Sequence, residues 1–248
     1  IQGEGPMAGL PSFFVRLSGC NFGAKNNACL YCDTNFNFDH GTVRTFESLV
    51  SEVKSDRRLA ASPLIVLTGG EPTLQANVVG FLDEVTHTIP PTHTSGSPMD
   101  WVVQIETNGT QPKVLVECLK NELCVAVISP KASNTKGYRY FESFFNTYAN
   151  DAHRDRIYFK YVIDSDPSAT QHTVPEDALE YAKDNPSRVY VSPAAVYKKA
   201  YEGEVSSAWD HELIDPVRTA ANYAYAAEYC MTHGLRLSIQ QHLFCAIA

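Results

Sequence analysis

Apolar strand-like runs alternate with stretches of helical period along almost the whole chain. That alternation restricts the fold to a parallel sheet covered by helices. The strand-like runs are 13–17, 64–68, 101–106, 123–129, 157–163, 188–191 and 235–240. Between them Phe46, Leu49, Val50 and Val53, then Val78, Phe81, Leu82 and Val85, recur at the spacing of one helix face. Further helices are expected near 113–121, from Pro175 through Ala182, and over 213–233. Whether such a sheet is doubly wound or curled depends on where the unusual residues fall. Ser18-Gly19-Cys20, Thr68-Gly69-Gly70-Glu71-Pro72, Glu106-Thr107-Asn108-Gly109, Ser129-Pro130-Lys131, Ser192-Pro193 and Gln240-Gln241-His242 each close a strand. Polar and glycine clusters at the carboxyl end of nearly every strand describe a barrel whose mouth is the functional end. A doubly wound sheet would gather them at one switch point. The expected class is therefore α/β, an incomplete (β/α)6 TIM-like barrel.

At 248 residues the chain is expected to form a single domain over 1–248. No repeat or low-complexity tract interrupts it, and 90–98 reads as an inserted surface loop. A net charge of -8 argues against a nucleic-acid scaffold. No run approaches the roughly 18 apolar residues of a membrane span, and no signal segment opens the chain. Ile1 is not an initiator, so a few residues are expected before it. Seven cysteines without paired spacing fit a reducing cytoplasm better than a disulfide framework.

Three of those cysteines, Cys20, Cys29 and Cys32, fall within thirteen positions of a loop rich in Gly and Asn, spanning 18–34. Thiolates that close together point to a shared metal centre. A structural zinc site takes four protein ligands, whereas three thiolates leave one coordination position open, as on a four-iron cluster that binds a small molecule. The alternatives are zinc completed by His40, or three unrelated thiols. Gly69-Gly70 allows close approach of backbone to a ligand, and Glu71 could accept from a protonated amine; alone, such a pair is more often a turn. Thr107 and Asn108 could bond hydroxyls, or simply make an Asn-Gly turn. Ser129 and Lys131 offer a hydroxyl and a cation suited to a carboxylate. Cys118, Cys124, Cys230 and Cys245 read as packing or incidental thiols.

The cysteine loop, Gly69-Gly70-Glu71-Pro72 and Ser129-Pro130-Lys131 together resemble the radical S-adenosylmethionine (SAM) superfamily. Gln2-Gly3-Glu4-Gly5, Phe14 through Cys20 and Cys32-Asp33-Thr34 resemble one branch of it, which contracts a carboxylated tetrahydropterin to a 7-deazaguanine for the queuosine pathway. The resemblance runs from residue 2 to about 242. It departs from the superfamily pattern in the eight residues between Cys20 and Cys29, where three are usual. It implies a [4Fe-4S] cluster on Cys20, Cys29 and Cys32, and SAM held by Gly69, Gly70, Glu71, Thr107, Asn108, Ser129 and Lys131. It further implies a Mg²⁺ ion on Thr34, and a pterin substrate contacted by Gln2, Glu4, Arg16, Thr68 and His242, with Arg16 pairing the carboxylate. A flavodoxin-like electron donor and a homodimer through the Tyr-rich 223–229 helix are implied as well, with no nucleic acid or membrane partner. Two rivals remain at this point: a radical SAM activase acting on a protein partner, and a zinc-stabilised binding module.

Overall fold

The computed structural model describes residues 1–22, 41–56, 64–88, 103–131, 153–169, 171–196, 214–241 and 244. Among them are seven strands: β1 (Ser12–Leu17), β2 (Leu64–Gly69), β3 (Val103–Thr107), β4 (Cys124–Ile128), β5 (Ile157–Ile163), β6 (Val189–Pro193) and β7 (Arg236–Leu237). They form one sheet in sequence order, every neighbouring pair parallel, with β1 and β7 at its edges. The expected incomplete barrel is thus an open parallel half-barrel, carrying a seventh strand only two residues long. Among the described residues five α-helices accompany it: α1 (Phe46–Ser55), α2 (Val78–Thr88), α3 (Pro112–Leu119), α4 (Glu176–Asp184) and α5 (Pro216–His233).

Local chemistry explains the boundaries. Thr45 caps α1 by accepting from the Ser48 amide at 3.2 Å, with Glu47 in the first turn and Lys54 in the last, as the helix dipole favours. Asp215 caps α5 through the Val217 and Arg218 amides, Pro216 opens it, and Gly234 ends it at φ 67°. Strand β2 is buried along Leu64–Thr68, which is why it reads as an unbroken apolar run.

Two apolar layers hold the sheet. The outer one packs Ile65, Leu67, Val103, Ile105, Phe159 and Tyr161 against Val50, Val53, Leu82, Val85 and Leu115 of the helices. The inner one joins Leu64, Val66, Val125, Val127, Tyr158 and Tyr190 to Met7 of the N-terminal segment. Residues 2–5 of that segment reach β3 (Glu106), β5 (Lys160), β6 (Ser192) and Ser238 beyond β7. One short segment can touch all of these only if the sheet curls around it. The segment fills the concave side where a closed barrel would use its own side chains.

Candidate active site at the mouth of the half-barrel

The loops leaving β1 and β2 are bonded to one another by backbone. The Gly70 amide donates to the Leu17 carbonyl at 2.9 Å, and the Glu71 amide to the Gly19 carbonyl at 2.8 Å. Gln75 Nε2 donates to the Ser18 carbonyl at 3.0 Å. The approach admits only glycine. Gly69 sits at φ 141°, and a Cβ there would lie 2.5 Å from the Leu17 nitrogen. On Gly70 a Cβ would come within 2.5 Å of the Gly19 carbonyl carbon, nearer still to its oxygen, and 3.0 Å from Cys20 Cβ.

Cys20 therefore stands half-buried on a turn braced from below. Beside it, Asn108 Nδ2 lies 3.9 Å from the sulfur and donates to Asn21 Oδ1 at 2.9 Å; Asn21 in turn donates to Thr110 Oγ1 at 2.8 Å. A Cβ on Gly41 would meet Ser18 Cβ at 2.8 Å, so the chain is back beside this turn at Gly41. Cys29, Cys32, Thr34, His40 and His242 lie outside the described residues, as does Cys245. Among the described residues no group of three or more His, Cys, Asp or Glu side chains could hold a metal ion.

Glu71 is 0 % exposed. Its Oε1 accepts from the Thr73 amide at 3.0 Å, from the Thr73 hydroxyl and from Thr107 Oγ1 at 2.7 Å; its Oε2 accepts from the Asn108 amide at 2.6 Å. The sequence pointed to this carboxylate as the acceptor for an amine. Its bonds tie the ends of β2 and β3 together, beside the Gly69 and Gly70 backbone that braces the cysteine turn. Thr107 likewise spends its hydroxyl on Glu71, while Asn108 faces Cys20. The Ser129 amide donates to the Thr107 carbonyl at 2.8 Å, and Lys131 Nζ donates to Ser129 Oγ at 2.9 Å. The first four of the six strand ends named from sequence thus form one continuous rim.

Below the rim runs a polar band on the concave face. Arg16 and Thr68 are register partners on β1 and β2, with Arg16 exposed and Thr68 buried. Thr68 Oγ1 donates to Glu106 Oε2 at 2.9 Å, and Glu106 Oε1 accepts from Gln2 Nε2 at 2.8 Å and Gln104 Nε2 at 3.1 Å. Glu4 pairs with Lys160 Nζ at 2.5 Å and accepts from Ser192 Oγ at 3.2 Å. Gln2, Glu4, Arg16 and Thr68 all fall in this band. Glu106 and Ser192 were named from sequence only as members of strand-end clusters, and Gln104 and Lys160 not at all; the available signal was alternation of polar with apolar residues inside runs otherwise apolar.

The remaining described thiols are chemically quiet. Burial pushes Cys118 up to about 12 and Cys230 up to about 11, and raises Cys124 further. At pH 8 almost none of the reactive thiolate exists at these positions. Native apoprotein treated with iodoacetamide at pH 8 should carry label on Cys20 and none on Cys118, Cys124 or Cys230, read by peptide mass spectrometry. Label on the buried three at a rate matching Cys20 would refute this assignment of their environments.

These features fit a cluster-and-SAM centre: a half-buried thiol on a turn, two glycines in close backbone contact with that turn, the Asn108 amide beside the thiol, and the Ser129 hydroxyl and Lys131 cation farther along the same rim. The sequence model of the Radical SAM superfamily matches residues 15–164. A 7-carboxy-7-deazaguanine synthase of Rickettsia prowazekii is 36% identical over 142 residues, covering 56% of this chain and 50% of the relative. That of Hyperthermus butylicus is 39% identical over 114 residues, covering 45% and 40%. Over 246 residues the synthase of Koribacter versatilis is 28% identical, covering 98% of this chain and 92% of its own. The match with the first of these curated relatives thus spans half of that relative's length. Among solved structures, Streptococcus suis SuiB bound to precursor peptide SuiA superposes with a TM-score of 0.51 at 14% identity, covering 96% of this chain and 50% of that one. At that identity the likeness concerns the fold.

Proposed function

The chain belongs to the radical SAM superfamily, and on that premise we propose that it converts 6-carboxy-5,6,7,8-tetrahydropterin to 7-carboxy-7-deazaguanine, contracting the ring with loss of ammonia. The observation that carries the reading is the polar band beneath the cysteine turn. It sets a guanidinium, two carboxylates and several amides and hydroxyls around one concavity, a donor and acceptor set matched to a carboxylated aminopyrimidine ring. Relatives named for this reaction, one of them aligned along nearly the whole chain, support it.

In this reading Cys20, Cys29 and Cys32 hold a [4Fe-4S] cluster. Gly69, Gly70, Glu71, Thr107, Asn108, Ser129 and Lys131 would hold SAM, with Glu71 and Thr107 also fixing the ends of β2 and β3. When bound, cluster and SAM supply one-electron chemistry and abstraction of a hydrogen atom beside the substrate carboxylate. The protein's part is positioning. Arg16 offers a planar fork to the substrate carboxylate. Glu106, held by the neutral donors Gln2, Thr68 and Gln104, offers acceptor capacity to the ring's amide and amino N–H groups. Gln104 Oε1, enclosed and with no donor among the described residues, adds a further acceptor there. Glu4 reaches the same concavity, and His242, outside the described residues, is assigned to the substrate with it. Thr34 with several waters would hold Mg²⁺, which takes few protein oxygens. A single domain over 1–248, a cytoplasmic setting, a flavodoxin-like donor and a homodimer belong to the same reading. No described helix is long and apolar enough to cross a membrane.

Anaerobic reconstitution with iron and sulfide should give brown protein that cleaves SAM and, with Mg²⁺ added, turns over the pterin. Cluster-loaded protein that cleaves SAM yet forms no deazaguanine would remove the substrate assignment. Zinc without iron, and no visible absorbance, would remove the centre itself.

A further inference from the structure

We propose that Lys160 is a positioning residue for Glu4, orienting its carboxylate toward the substrate ring and so setting substrate affinity; this rests on the reading above. Lys160 lies on β5, is 9 % exposed, and projects from the same strand face as Tyr158 of the inner layer. Its Nζ stands 2.5 Å from Glu4 Oε2, with the two side chains 11% and 14% exposed. Ser192 Oγ approaches the other carboxylate oxygen, and also the Ser238 carbonyl at 2.9 Å.

Anchoring the N-terminal segment does not by itself account for this pair. That segment has its own ties: Gln2 N to the Leu10 carbonyl, Gly9 N to the Gln2 carbonyl, Gly5 N to Ser238 Oγ, and Met7 in the inner core. An ion pair this enclosed also loses much of its attraction to desolvation, so apolar packing would serve stability as well. What the pair uniquely sets is the charge and direction of one carboxylate on the concave face. Oε2 is directed at the lysine and Oε1 at the serine, and the remaining acceptor capacity of both oxygens is left at a fixed angle.

The test uses full-length reconstituted protein and the variants Lys160→Met, Glu4→Gln and their double, with 6-carboxytetrahydropterin as ligand. Lys160→Met should raise the pterin KM and the calorimetric Kd by at least about tenfold, the scale on which a buried charge suffers when its partner is truncated. Its kcat should fall less, and iron content and pterin-independent SAM cleavage should stay at parent level. The double variant should be no worse than Glu4→Gln alone, since one residue acts through the other. A folded Lys160→Met with parent KM, or additive losses in the double, overturns the proposal. Should Lys160→Met fail to fold, Glu4→Gln with unchanged KM overturns it equally. A parent protein that cleaves SAM but never consumes the pterin defeats the functional reading instead, which separates the two failures.

Discussion

Gly70→Ala protein should emerge from anaerobic reconstitution nearly devoid of iron while keeping the parent's far-ultraviolet circular dichroism. The added methyl would lie 2.5 Å from the Gly19 carbonyl carbon, and that neighbour is backbone, so no rotamer change relieves the clash. The turn must move, and with it go the Glu71 N–H bond to the Gly19 carbonyl and the seat of Cys20. Lost hydrogen bonding and strain together amount to about 2–4 kcal/mol, concentrated on the turn that carries the thiol. A thiolate displaced by an ångström no longer closes a cluster whose ligand distances vary by only about 0.2 Å. Gly80→Ala is the control. It lies on the exposed face of α2, where the new methyl meets Phe46 at an ordinary 3.7 Å. That substitution should stabilise by about 0.5–1 kcal/mol and leave iron binding intact. Parent iron content in Gly70→Ala would show that the close approach of the two loops is dispensable.

The second large effect is expected at Glu71. Glu71→Gln preserves volume but turns an acceptor-only group into one that presents an NH₂ to a site made of donors: the Thr73 and Asn108 amides and two threonine hydroxyls. One buried amide is left facing another donor, and the charge assistance of the remaining bonds is lost. The expected cost is about 3–5 kcal/mol, read as a lower urea midpoint at unchanged slope. Because Glu71 ties β2 to β3 directly below the cysteine turn, SAM affinity should fall with it. Glu117→Gln breaks a pair between exposed groups, Glu117 and Lys120, and should cost no more than about 0.5 kcal/mol. A Glu71→Gln protein as stable as that control would mean the carboxylate is not the tie its surroundings describe.

Much of this architecture was legible because its causes are local. A strand buried on both faces is mostly apolar, so β2 and β5 stand out despite Thr68 and Lys160; the run 157–163 coincides with Ile157–Ile163 residue for residue. Helices announced themselves by period; their starts, Pro112 for α3 and Pro216 behind the Asp215 cap for α5, came from the structure. The last strand was overestimated. Only Arg236–Leu237 pairs with β6, since an edge strand with one neighbour carries too few contacts to hold the full run of 235–240 in register.

Side chains whose purpose depends on a distant partner were harder to read. Nothing near Lys160 in the chain announces Glu4, 156 positions away, and Glu106 gains its meaning from Gln2, 104 positions away. Likewise, a glutamate at position 71 reads the same in the sequence whether it faces a ligand or closes a joint. By itself the sequence determined the alternation of strand and helix, the strand ends on which chemistry gathers, and the thiols and glycines that mark them, because spacing, period and the backbone freedom of glycine are properties of contiguous chain. Only the tertiary structure decided which polar groups face the concavity and which consume one another. That outcome follows from curling the sheet around residues 2–10, a long-range closure driven by burial of Met7 and the inner apolar layer rather than by any local preference.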